Sequence, residues 1–288
     1  MPARAAPVAP ARRLADDALR ALVAEALLTP KPALVDQRGP GAHHDLDLGR
    51  LLRSAHALHG SFVLMAARAS DARPTLQLRE ALGTLGRHAE RQMLRATGGS
   101  NAHRGAIWAL GLLVAAVAAN GPGSGRAAAA ATAARLAQLP DRFAGDGATH
   151  GLRACRKYGV GGARAEAAAG FPHVVAVALP ALERARRRGA SERCAQLDAL
   201  MAIMARLDDT CLLHRGGWAA VTAAQRGAQR VLALGGSAAR AGHRALLALD
   251  AELLRRHASP GGCADLLAAA LFLDAACPPP NPKEPWNS

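Results

Sequence analysis

Aromatic residues are scarce in this chain: Phe, Trp and Tyr make up only 3% of its 288 residues. That scarcity excludes a base-stacking platform, in which aromatics interleave with basic side chains. Lysine is nearly missing too, present only at 31, 157 and 283, so the net charge of +14 is an arginine charge. An excess of this size usually points to a polyanionic partner. Arginine with abundant Ala and Gly is also what a GC-rich coding sequence yields, so a nucleic-acid partner is not expected. None of the five cysteines forms a C-x-x-C pair. Scattered thiols of this kind suit a reducing cytoplasm. The longest apolar run, Ala106 to Ala119, is 14 residues, short of the ~20 that a bilayer requires. The N-terminal MPARAAPVAPARR holds too short an apolar segment for a signal peptide. Strand-like alternation and fixed-period repeats are both lacking.

What remains is helical. Half the residues are hydrophobic, mostly Ala and Leu, which favour close-packed helices. The reading is all-α: a single domain of about a dozen helices over 12–277, after a disordered Pro/Ala-rich N-terminus (1–11) and before a loose Pro-rich tail (278–288). Helices are expected at 12–28, 48–68, 75–95, 127–139, 163–169, 173–188, 191–207, 218–234, 237–257 and from about 259 to 276. Residues 29–49 and 141–162 read as irregular connections, because Gly and Pro punctuate them densely. At the centre stands a helix over about 103–119, apolar on every side and so surrounded by other helices. Asn101, His103 and Arg104 sit at its start. There Asn101 serves as N-cap, and the free N–H groups offer an anion site. An ordinary capped core helix would look the same.

Polar residues gather at helix junctions. Asp36, Asp45 and Asp47 share one loop, and Asp208 and Asp209 come much later; carboxylates so placed are either Mg²⁺ ligands or helix caps. His43-His44-Asp45 resembles a metal doublet, but no histidine precedes residue 43, and adjacent imidazoles diverge. His150, Arg164 and Glu166 flank the long connection, as site residues or as a structural ion pair. Ser259-Pro-Gly-Gly, with Asp265 in the following turn, is a phosphate cradle or a plain helix start. Cys211 and Cys263 read as small buried residues.

Six of these segments occur together in one family's order: KPALVDQRGPGAHHDLD (31–47), GGSNAHRGAIWALGLL (98–113), THG (149–151), GVGGARAEAAAGFP (159–172), DDTCLLHRGG (208–217) and SPGGCADLLAAALFL (259–273). On them the chain resembles the triphosphoribosyl-dephospho-CoA synthases, which serve citrate lyase and malonate decarboxylase. NAHRGAIWALGL looks like the malonate decarboxylase branch. Ala33, Leu46 and Cys263 depart mildly from the family pattern.

The resemblance implies a reaction: ATP and 3′-dephospho-CoA give 2′-(5″-triphosphoribosyl)-3′-dephospho-CoA and adenine. The product is the prosthetic-group precursor for the decarboxylase's acyl-carrier subunit. It also implies site residues. Asp45, Asp47 and Asp209 would meet Mg²⁺ or the ribosyl centre. Lys31, Asn101, His103, Arg104, Arg164 and Arg215 would meet the triphosphate. His44 or Glu166 would be the general acid or base, with Asp209 at the reacting carbon. The competing reading is an all-α metal-dependent phosphohydrolase, which would release phosphate instead of adenine.

Overall fold

The computed structural model describes residues 8–145 and 149–278, and the described residues are helical with no strand beyond one isolated bridge, Asp36–Gly39. The helices are α1 (Val8–Leu27), α2 (Leu48–Ala69), α3 (Leu76–Thr97), α4 (Arg104–Asn120), α5 (Arg126–Gln138), α6 (His150–Tyr158), α7 (Gly162–Ala168), α8 (Leu179–Arg187), α9 (Glu192–Met204), α10 (Thr210–Ala233), α11 (Arg240–Arg255) and α12 (Gly261–Ala276). A π-helical stretch, His173–Ala178, leads into α8. The all-α expectation holds. No single described helix is long and apolar enough to cross a membrane.

The core is built around α4 and α12. From Ala106 to Val117 every residue of α4 but Trp108 is buried. Helices α1, α2, α3, α5, α7 and α12 surround it. Small side chains allow this close approach: a Cβ on Gly111 would come within 3.0 Å of Met65 Sδ on α2. Helix α12 is nearly as apolar, buried from Leu266 to Leu273 among α1, α4, α9 and α10. A helix without a polar face has no solvent side to turn outward, so these two sequences require a multi-layered bundle.

Three boundaries differ from the expectation. Residues 8–11 are helical and not disordered, because Ala11 packs into the core with Ala15, Ala18 and Leu22. The chain between Tyr158 and Thr149 is helix and not irregular: Thr149 caps it by accepting from Leu152 N, and Gly159 ends it in the left-handed region. Its weak apolar signal is explained by its burying only Ala154. Helix α10 begins at Thr210, eight residues before the expected start, but its axis breaks at Gly217 (φ 61°, ψ −161°). The expected residues 1–7 and 279–288 of the termini lie outside the described residues.

Leu113 of α4 is fully buried. Leu113→Ala is expected to cost about 2–5 kcal/mol through the cavity it leaves. The check is a denaturant midpoint that falls with an unchanged slope; an unmoved midpoint would place Leu113 outside the core.

Candidate active site

Four of the chain's polar motifs are brought to one end of the bundle, where helix starts meet. Asp209 joins two of them. Its Oδ1 accepts from Cys211 N (2.7 Å) and Leu212 N (3.4 Å) at the start of α10, and its Oδ2 accepts from Cys263 N (2.9 Å) at the start of α12. The residue is 1% exposed. Burial outweighs these three donors and raises its pKa. Space at position 262 is tight here, since a Cβ would lie 3.1 Å from the carboxylate. One turn further along α12, Asp265 packs against the start of α4 at Gly105. Its Oδ2 would stand 2.0 Å from a Cβ at Gly105. Burial, then repulsion from Glu25 and Asp209, hold the Asp265 carboxyl well above the usual carboxylate range.

The start of α6 adjoins the same place. A Cβ on Gly151 would meet Thr210 Oγ1 at 3.6 Å, and the His150 and His214 rings lie 4.1 Å apart. Gly162, at the start of α7, faces Cys155 Sγ and Thr210 Cγ2. Trp108 Nε1 donates to Ala163 O (3.1 Å), tying α7 to α4. Arg153 on α6 and Arg164 on α7 are exposed around this junction.

The loop after α1 closes over it. His43 Nε2 lies 2.9 Å from Ser259 Oγ, and Arg215 bonds Ala42 O (3.1 Å) and His43 Nδ1 (3.3 Å). Burial first, then Arg215, lowers the His43 pKa from 6.5 to about 4. Further back, Asp250 of α11 accepts from Ala33 N (2.8 Å) and pairs with Arg38, which also pairs with Asp36.

The expected site residues therefore divide. Arg215 and Asp209 lie at the junction, with Arg164 on α7 beside it. Lys31 does not face a ligand: it is 1% exposed and its ammonium is held by the side chain (2.5 Å) and backbone (2.6 Å) of Glu25. Asn101 Oδ1 accepts from Arg104 N (3.2 Å), so it caps α4 from outside the N-cap position, which His103 occupies. His103 is buried with Nδ1 2.7 Å from Ser54 Oγ, and its Nε2 has no partner among the described residues. Burial, with Lys31 second, lowers its pKa to about 4. Arg104 pairs with Glu90 (3.1 Å). Glu166 accepts from both N and Nδ1 of His173 (2.9 and 2.8 Å) and braces the turn into the π-helical stretch. His44 is exposed, 6.3 Å from the His257 ring. Asp45 and Asp47 are exposed, and Asp47 caps α2 through Arg50 N (2.8 Å). Among the described residues no three His, Cys, Asp or Glu side chains gather as a metal site. Asp45, Asp47 and Asp209 are thus not one cluster, because backbone donors have drawn Asp209 inward.

Sequence reading passed over Glu25 and Ser54 and gave Asp265 only a minor part. A signal for Asp265 was present: it is the only charged residue between Gly261 and Leu273. Glu25 carried none, being one acid in an amphipathic helix.

Helix starts that meet at one end of the bundle, with Arg153, Arg164 and Arg215 beside them, suit an all-α enzyme that handles an anion. The comparisons with known proteins make that class specific. Residues 11–281 match the CitG family, described as ATP:dephospho-CoA triphosphoribosyl transferase. A 2-(5″-triphosphoribosyl)-3′-dephosphocoenzyme-A synthase of Klebsiella pneumoniae is 56% identical over 261 residues, 91% of this chain and 93% of that protein. A probable synthase of the same name from Stutzerimonas stutzeri is 55% identical over 278 residues, 96% of this chain and 95% of its own. Another, from Pseudomonas savastanoi pv. phaseolicola, is 55% identical over 269 residues, covering 93% and 92%. No solved structure matches. The chain belongs to the CitG family and is a transferase.

Two outcomes test the site's construction. Asp209→Asn places an amide N–H₂ against backbone N–H groups, so the melting temperature of the ligand-free protein should fall; removing a charged partner from buried donors costs roughly 1–3 kcal/mol per group. An unchanged melting temperature, with lost stabilisation by Mg-ATP, would return Asp209 to ligand binding. His103 is held neutral, with its pKa depressed from 6.5 to about 4. The unfolded chain therefore binds the extra proton first, and this residue's share of stability is lost as pH falls from about 6.5 to about 4. In His103→Asn, where the amide can replace Nδ1 toward Ser54, the loss over that window should be shallower by up to one proton's slope. Equal slopes would refute the buried neutral imidazole.

Proposed function

We propose that this protein joins the ribose of ATP to 3′-dephospho-CoA. A ribose hydroxyl of dephospho-CoA forms a bond to the anomeric carbon of ATP, the bond from that carbon to adenine breaks, and the triphosphate stays intact. The hydroxyl loses a proton and adenine leaves with one. The observation that carries this reading is Asp265. Its carboxyl stands at the start of the central helix, where a Cβ on Gly105 would lie 2.0 Å from its Oδ2, and desolvation together with the charges of Glu25 and Asp209 pushes its pKa well above the usual carboxylate range. In this reading Asp265 gives the departing adenine its proton. Glu166 is an inferior candidate because His173 occupies both of its oxygens. His44, exposed on the loop, takes the hydroxyl proton. Asp209 contributes fixed negative charge near a centre that becomes cation-like, as in glycoside hydrolysis.

Arg164 and Arg215, with the start of α6, receive the triphosphate. Arg104 joins them by exchanging Glu90 for phosphate. Asp45 and Asp47 fit Mg²⁺, which favours one or two carboxylates together with substrate phosphates; Asp209 does not, since its acceptor positions face backbone donors. Bound there, Mg²⁺ would neutralise triphosphate charge. The segment NAHRGAIWALGL supports placement in the malonate decarboxylase branch, with the product destined for that enzyme's acyl-carrier subunit. The scattered free thiols support a reducing cytoplasm as its location.

Chromatography of products after incubation with ATP, Mg²⁺ and dephospho-CoA tests the reaction. Adenine should appear only when dephospho-CoA is present, with CoA a poor substitute. ADP or phosphate released at a matching rate would overturn the reading in favour of a phosphohydrolase. Asp265→Asn should slow adenine release by about a hundredfold or more and remove the alkaline limb of the rate profile, where the acid form is lost. Retention of that limb would assign the proton to another group.

A further inference from the structure

At the start of α11, away from the candidate active site, lies a cleft of about 750 Å³, whose walls include Pro30, Arg193, Ser237, Arg240, His243 and Arg244. It is formed where the starts of α9 and α11 face each other. Both helices carry an arginine in the first turn: Arg193 is the second residue of α9, and Arg240 is the first residue of α11. Cations there oppose the helix dipole, whose N-terminal end is itself positive. The start of α11 is also without a side-chain cap, its N-cap being Ala239. Arg240, His243 and Arg244 fall on one face at i, i+3 and i+4, so the charges concentrate and do not disperse.

No carboxylate on either helix relieves them. Glu192 is bound by Arg186, and Asp198 accepts from Ser237 N (2.7 Å) and lies 3.4 Å from Arg188. Asp250 pairs with Arg38, and Glu252 with Arg255 and Arg256. Those four are the only acids on α9 and α11. Like charges gathered in a concave site raise the local potential and attract a counter-ion. The start of α11 breaks the helix-dipole rule with no compensating partner for Arg240 or Arg244 among the described residues, whereas α9 keeps Ser191 as its cap and Glu192 in its first turn; such a local break marks a site kept for a ligand.

We propose that this cleft is a second anion site, taking a small molecule that carries at least two linked phosphates. Its volume lies in the range of small-ligand pockets, and guanidinium groups from two sides suit bidentate contacts to phosphate oxygens. It is separate from the candidate active site. The 16 residues of α11 extend roughly 24 Å at 1.5 Å per residue, and the active-site loop meets the opposite end, where His257 faces His44 and Ser259 bonds His43. Binding here is independent of the reaction proposed for that end. The chain does link them: Pro30 of the cleft wall precedes the buried Lys31.

Calorimetric titration of the full chain with pyrophosphate at fixed ionic strength provides the test. Two binding events are expected in the unmodified protein, one at each end of α11. Arg240→Glu with Arg244→Glu should abolish one of them, or weaken it at least tenfold, while adenine release at saturating substrates is unchanged. Arg193→Glu, on the facing helix, should act likewise and serves if the double variant does not fold. Parallel titrations with ATP and with dephospho-CoA identify the source of the phosphates, since only the true ligand loses a binding event in the variants. Identical pyrophosphate stoichiometry and affinity in variants and unmodified protein would overturn the proposal.

Discussion

The carboxylate of Asp209 is the contact on which the site's architecture depends. A helix start leaves N–H groups without partners, and burying such a start demands a substitute for water. Helices α10 and α12 both begin inside the protein, and one side chain serves both, with Oδ1 toward α10 and Oδ2 toward α12. Because α12 also packs on α1, α4 and α9, fixing its start positions most of the core. One turn later Asp265 packs against the start of α4 at Gly105. Asp209 thus ties α10 to α12 by hydrogen bonds, and Asp265 sets α12 closely against the start of α4.

That arrangement separates charge by depth. The chain carries 36 Lys and Arg against 22 Asp and Glu, yet Glu25, Asp36, Asp198 and Asp209 are buried, while Arg153, Arg164, Arg193, Arg240 and Arg244 are exposed. Backbone N–H groups and Lys31 partly offset the desolvation of these interior carboxylates, whereas an exposed arginine keeps its water. At the start of α11 the surface is left with positive charge that no acid of α9 or α11 pairs, while Glu252 pairs Arg255 and Arg256 at the other end. This suits a protein whose substrates are read as ATP and a second phosphate-bearing nucleotide.

Much of the fold was legible. The run Ala106–Ala119 has no polar face, so a buried central helix followed from its composition, and α4 is that helix. The break before Trp218 was visible at Gly216-Gly217, and the axis does bend there. Helix α6 was hidden because its exposed faces are basic and glycine-flanked, leaving only Ala154 to report burial. Arg164, Arg215 and Asp209, singled out by motif, lie near one another at one end of the bundle, but the motifs did not show what each is bonded to. Asp209 reads identically as a metal ligand or as a cap, and Lys31 as a phosphate contact or as half of an ion pair.

The amino-acid order alone determined an all-α chain, its central helix, and the family to which its six motifs belong. Those properties rest on local composition and on residues a few positions apart. Tertiary structure decided which charges face inward. Glu25 neutralises Lys31, Ser54 holds His103, and Asp209 is closed off by an amide 54 residues away. Whether a polar side chain meets a ligand or a neighbouring backbone depends on what lies beside it in space, and contacts across such separations leave no periodic trace in a single sequence.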